Sequence, residues 1–164
     1  MLKVFIKNLY VIVYGFLIIA CCKKSLPEKE VLKYNPNWTN RNIIVSEGGG
    51  FTGFSYGYKI YYTGEIYNLI QIPSKPDSLR LISKMQDSVI TFFSNLDVVK
   101  FDTINYYNPG NLTYSLCLNE NDSLIHSVSW SMGDKQINSS ILKIYKEIFK
   151  FTERIVEVEN IEKQ

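Results

Sequence analysis

The sequence is poor in the residues that most often carry chemistry. Its 164 residues hold one histidine, His126, and three cysteines, Cys21, Cys22 and Cys117. So few thiols exclude a disulfide-dense scaffold, and a single imidazole leaves a zinc site short of ligands. A surplus of charge is lacking as well, with 18 Lys+Arg against 16 Asp+Glu. Lys3 and Lys7 fall within residues 1–20, which carry no acid, so the remaining chain balances at 16 basic against 16 acidic side chains. That balance leaves no electrostatic footprint for nucleic acid. Aromatics are what the chain has in plenty: 12 Tyr and 9 Phe contribute to a 14% aromatic fraction, against only 21% charged residues. Such a composition belongs to a folded chain rather than a disordered one, and the length suits one compact domain.

Long hydrophobic runs are absent except near the N-terminus. After Lys3 and Lys7 the chain runs uncharged from Leu9 to Ala20 and then reads Cys21-Cys22-Lys23-Lys24. About a dozen apolar residues fall short of the roughly 20 that a spanning helix needs. A basic start, a short apolar run and a small residue at the junction predict a secretory signal over residues 1–20. The tetrapeptide Ile18-Ile19-Ala20-Cys21 resembles the bacterial lipobox. That resemblance implies a Cys21 that is diacylated and becomes the first residue of the mature protein. It also implies attachment to a lipid bilayer of the bacterial cell envelope, on the periplasmic face or the outer-membrane surface, since several buried acyl chains hold a protein durably. Residues 21–38, with Pro27 and Pro36, read as a lipidated tether. Cys22 and Cys117 are expected to stay free.

Residues 39–164 read as a single α+β domain. Ile43-Ile44-Val45 forms a β-branched run that stops at Gly48-Gly49-Gly50, where a turn with positive φ is expected. Tyr58 to Tyr62 and Glu65 to Ile70 predict a hairpin turning at Gly64. Leu79, Ile82, Met85, Val89, Phe92 or Phe93, and Leu96 recur at helical spacing and predict a helix of about five turns, capped by Asp77 or Ser78. Phe101 to Gly110 reads as a loop. Alternation through Leu112, Tyr114, Leu116 and Leu118, then Leu124, His126, Val128 and Trp130, predicts a second hairpin with one half-buried face. Ser139 can cap a last helix with Ile141, Ile144 or Tyr145, Ile148, Phe151 or Thr152, and Ile155 on one face. The expected order is β-β-β-α-β-β-α, an antiparallel sheet of hairpins with two amphipathic helices on one face.

No catalytic set emerges from this pattern. His126 sits mid-strand, where a structural imidazole is expected, and no serine occupies a Gly-x-Ser-x-Gly elbow. A Cys117–His126 pair on adjacent strands is the one arrangement that could support a hydrolase, and it lacks a third group. Asn119-Glu120-Asn121-Asp122 lacks the spacing of a dedicated calcium loop and reads as a solvated hairpin tip. Gly48-Gly49-Gly50 is not followed by Gly-Lys-Ser/Thr and opens no helix, so it is no phosphate loop. No metal and no cofactor is expected.

The stretch Ile43-Ile44-Val45-Ser46-Glu47-Gly48-Gly49-Gly50-Phe51-Thr52-Gly53 is similar to the strand–Gly-Gly-Phe-(Ala/Thr)-Gly opening of emfourin-like proteins. These are small bacterial inhibitors of thermolysin-like metallopeptidases. The order of elements after it, with Trp130 near the end of the last strand, is also similar, over roughly residues 42–152. Small lipoproteins of Bacteroidota-type bacteria carry a similar Gly-Gly-Gly-Phe-Thr-Gly stretch. The lipobox, the tether and the Tyr-rich hairpin depart from the emfourin pattern. The resemblance implies a binding turn made of Gly48, Gly49, Gly50, Phe51, Gly53 and Phe54, with Phe51 or Phe54 as the side chain presented to a peptidase.

The reading is a non-enzymatic, membrane-anchored binding module of peptidase-inhibitor-like form with a protein partner in the envelope. The alternatives are a structural lipoprotein docking on an envelope complex, where many Tyr would serve an interface, and a hydrolase using Cys117 and His126. The lipid anchor has a direct check. Expressed in a bacterium, the wild-type chain is expected to incorporate labelled palmitate and sediment with membranes, and Cys21→Ser to do neither. Equal labelling of the variant removes the anchor.

Overall fold

The computed structural model describes residues 34–161; Cys21, Cys22 and the signal and tether up to residue 33 lie outside the described residues. The elements run β1 (Arg41–Gly49), β2 (Phe54–Tyr61), β3 (Glu65–Gln71), β4 (Ser78–Lys84), α1 (Gln86–Val98), β5 (Tyr107–Asn108), β6 (Thr113–Glu120), β7 (Ser123–Ser131) and α2 (Ser139–Ile161). The strands form one sheet in the order β4-β3-β2-β1-β6-β7-β5. Every pairing is antiparallel except the short β5–β7 pair. The α+β class and the two-hairpin sheet with helices follow the sequence expectation.

Strand alternation sorts the residues onto two faces. Register places Ile43 beside Ile60 and Leu118, and Val45 beside Tyr58 and Leu116. These side chains face the helices and are buried together with Val128 and Trp130. The helices answer with Val89, Phe93 and Leu96 from α1 and Ile141, Ile148 and Phe149 from α2. The intervening residues give a polar second face. Ser46, Ser115 and Ser129 line up across three strands, and Ser115 Oγ lies 3.0 Å from Ser129 Oγ.

Three local expectations need correction. The helix expected from Leu79 begins only at Gln86, and Ser78–Lys84 is an edge strand paired with β3. Leu79, Leu81 and Ile82 satisfy a period of two and a spacing of three at once, so periodicity alone misassigned them. The Met85 amide donates to Gly64 O at 2.9 Å, tying the strand's end to the first hairpin before the helix starts. The expected loop after α1 holds a 3-10 turn at Phe101–Thr103 and the two residues of β5. The cap of α2 is Asn138 rather than Ser139, since Asn138 Oδ1 accepts from Ser140 N at 2.9 Å.

Part of the stretch read as tether packs on the domain. Tyr34 stacks on Tyr62 with ring centroids 5.3 Å apart, Trp38 meets the same ring edge-on at 5.7 Å, and Tyr62 Oη accepts from Asn35 N at 2.6 Å. The second hairpin turns on Asn121 and Asp122, both at positive φ, which suits the primed turns that match strand twist.

One glycine has a role that no local sequence signal marks. Gly57 stands in the interior of β2 opposite Ser46, and a Cβ there would lie 2.0 Å from Val45 O. No side chain fits between these backbones without moving β1. Gly57→Ala is therefore expected to destabilise the fold by about 1–3 kcal/mol, measured by denaturant unfolding. A wild-type midpoint in the variant would show that the strands separate freely.

Candidate functional site

The glycine turn lies where the sequence placed it, between β1 and β2. Gly49, Gly50 and Gly53 all have positive φ, at 121°, 71° and 59°. Gly49 and Gly53 are constrained twice over, because a Cβ would also approach Asn111 O to 2.8 Å at Gly49 and Pro73 Cγ to 2.6 Å at Gly53. Gly48 is closed off differently, by Ser55 and the Phe54 carbonyl on the partner strand. Phe54 N is held by Thr52 Oγ1 at 3.3 Å, and the Phe54 side chain is exposed. The side chain of Phe51 lies outside the described residues. These glycines thus shape a tight turn, and among the described side chains Phe54 is the large one it leaves in solvent.

Cys117 and His126 do not meet. Cys117 pairs with Ser127, and His126 pairs with Leu118, so the two side chains leave opposite faces of the sheet. The His126 Nε2–H donates to Ile104 O at 2.9 Å, and the ring lies edge-on to Phe101 at 5.1 Å. The Cys117 thiol is pushed up to about 11 by burial, far from the thiolate a nucleophile requires. At the Asn119–Asp122 tip the carboxylates are engaged by cations. Glu120 pairs with Arg41 at 3.1 Å, and Asp122 with Lys59 at 2.7 Å. Among the described residues no group of three or more His, Cys, Asp or Glu side chains is arranged to hold a metal ion.

A concavity lies beside the glycine turn. A groove of about 780 Å³ opens between the ends of β1, β6 and β7 and one stripe of α2. Its floor is aromatic: Trp130 and Tyr145 meet edge-on at 5.0 Å, Tyr114 lies 5.6 Å from Tyr145, and Tyr145 lies 5.2 Å from Phe149. The Tyr145 hydroxyl donates to Ser46 O at 3.3 Å, which anchors α2 to the central strand. Met132 and Leu142 close one end, while Glu47 and Glu153 stand at the other. Lys146 and Lys150 follow one another at helical spacing along the α2 rim.

Two carboxylates act on one another at one end of this groove. Burial raises the carboxyl of Glu47 above its ordinary value, and the neighbouring charge of Glu153 raises it further. Burial also raises the Tyr58 and Tyr145 hydroxyls, with Glu153 and Glu47 adding to both. Tyr56 Oη donates to Glu47 Oε1, the one hydrogen bond that Glu47 receives from a described side chain.

No family model matches the chain, and no curated protein matches it either. Local pattern places Tyr114, Trp130 and Tyr145 only as core-facing members of a strand or helix, and gives Glu47 no role beyond the glycine motif and Glu153 none. Their meeting depends on where α2 crosses the sheet, for which no local signal exists.

A raised carboxyl means that folding disfavours the ionised form. Stability from Glu47 is complete below its ordinary value of 4.5 and is lost as the pH rises through the higher folded value. Glu47→Gln is therefore expected to melt above the wild type at neutral pH, with the difference shrinking as the pH falls to about 4. A variant that melts lower at neutral pH would show that the ionised carboxylate is stabilised after all.

Proposed function

We propose that the protein is a lipid-anchored binding module of the bacterial cell envelope, held to a bilayer through acylated Cys21 and acting without catalysis of its own. The observation that carries the anchor is the order of basic start, apolar run, small residue and Cys21 in the first 21 residues. Binding rather than catalysis is supported by the way the reactive side chains are committed. His126 uses its Nε2–H on Ile104, Cys117 faces away from it with a raised thiol pKa, and an aromatic groove opens between the sheet and α2. Among the described residues no helix is long and apolar enough to cross a membrane.

Within that role the emfourin-like motif supports an inhibitor of thermolysin-like metallopeptidases. The motif's glycines hold a turn whose neighbour Phe54 is exposed, a form suited to filling an apolar specificity pocket. The alternative is docking on a larger envelope complex. It is supported by the apolar residues Leu79 and Leu81, which stand exposed on the edge strand β4.

The full chain, reconstituted in detergent micelles, is expected to inhibit a thermolysin-like peptidase at micromolar concentration. Phe51→Ala or Phe54→Ala should relieve that inhibition without lowering the melting temperature. Absence of inhibition across a panel of such enzymes removes the inhibitor role and leaves docking.

A further inference from the structure

The aromatic groove has a charge order that neither the anchor nor the glycine turn explains. Along α2 the groove extends from Leu142 to Glu153, about 16 Å at the rise of an α-helix. Among the described residues, neither Glu47 nor Glu153 forms an ion pair. Asp134, at the far end, is already satisfied by the Tyr106 hydroxyl, the Asn108 amide and Gln136 N. The two glutamates thus form an anionic end beside Tyr114, with Glu47 accepting one hydrogen bond from Tyr56 Oη and no cation, while Lys146 and Lys150 make the outer rim cationic.

We propose that this groove binds an extended peptide segment bearing an arginine, with the guanidinium at Glu47 and Glu153 and the chain running along α2 over the aromatic floor. A guanidinium fits because its planar fork can serve two carboxylates while its face lies against the half-buried ring of Tyr114, the cross-strand neighbour of Glu47. An ammonium, more strongly hydrated and without a stacking face, fits less well. Burial and the repulsion between the two glutamates already hold the Glu47 carboxyl high, so an incoming cation relieves an existing cost. The lysine rim selects against a ligand cationic along its whole length. It favours a chain that presents carbonyl groups or an acid beyond its arginine, which distinguishes a peptide from a polyamine. This site is separate from the proposed peptidase-inhibiting role, and its failure would leave that role untouched.

The experiment uses fluorescence from the groove itself. Trp38 and Trp130 are the two tryptophans of the chain, and Trp38 packs on Tyr62 away from the groove, so Trp38→Phe leaves Trp130 as the reporter. The full chain carrying that substitution is titrated with acetyl-Leu-Arg-Ala-Glu-amide, with the same peptide containing citrulline for arginine, and with spermidine. The arginine peptide is expected to produce a saturable change in Trp130 emission. Glu47→Gln and Glu153→Gln should each weaken it about tenfold or more, as loss of a charge-assisted contact does. The citrulline peptide and spermidine should bind more weakly by a similar factor. No saturable change at millimolar arginine peptide overturns the proposal. So does equal binding of the citrulline peptide or of spermidine, or undiminished binding by both glutamine variants while their near-ultraviolet circular dichroism shows them folded.

Discussion

The central strand β1 is the constraint on which the rest of the structure depends. It pairs along almost its whole length with β2 on one side and β6 on the other. Its alternate side chains must therefore serve two different environments. Ile43 and Val45 lie fully buried beneath the helices, while Asn42 and Ser46 stand on the opposite face and are also buried. A buried Asn needs partners, and Asn42 finds them in Asn119 at 3.0 Å and Asp122 at 3.3 Å. A slip of one residue would send the isoleucine and valine to the polar face and bury Ile44 in their stead, so this register is strongly specified.

The ends of β1 pass that constraint on to the rest of the fold. At one end Arg41 pairs with Glu120, and Asn40 O accepts from Asn121 N in the second hairpin's turn. At the other the glycines let the chain reverse under the Asn111 carbonyl, where any side chain would collide. Ser46 O takes the Tyr145 hydroxyl, so the same strand positions α2. Glu47, the last residue before the glycines, is carried to the rim of the aromatic groove by its place in the register. Turn and groove are thus neighbours because one strand supplies both.

The groove also illustrates how a fold can tolerate unfavourable electrostatics. Its aromatic cluster continues beyond Phe149 to Tyr58 at 5.3 Å and Tyr56 at 6.3 Å. Such packing contributes through apolar burial and edge-to-face geometry, which do not depend on pH. Against that background the repulsion between Glu47 and Glu153 is a modest local cost. Several carboxylates elsewhere are paired: Glu65, held by Lys84 and Thr63, is lowered to about 2, and Asp122 is lowered by Lys59. In contrast, Glu47 and Glu153 at the groove face one another's charge without a cation between them.

Much of the architecture was legible in local pattern. Alternation identified β6 and β7, Gly64 marked the first hairpin, and the spacing of Ile141, Ile144 and Ile148 marked α2, because each signal is read over a few consecutive residues. The expected positive φ among Gly48–Gly53 was legible for the same reason. Leu79–Lys84 was misread because an exposed edge strand has no buried face to impose a clean period of two, and its leucines fit a helix equally well. Gly57 escaped notice because its need for no side chain comes from the approach of β1, not from its neighbours in sequence. The sequence by itself therefore determined the class of fold, the hairpins, the glycine turn and the N-terminal pattern around Cys21. Only the tertiary structure decided that Cys117 and His126 part company across the sheet, and that Glu47 meets Glu153 over Trp130 and Tyr145. Both outcomes follow from strand register and helix placement, which depend on contacts between residues far apart in the chain.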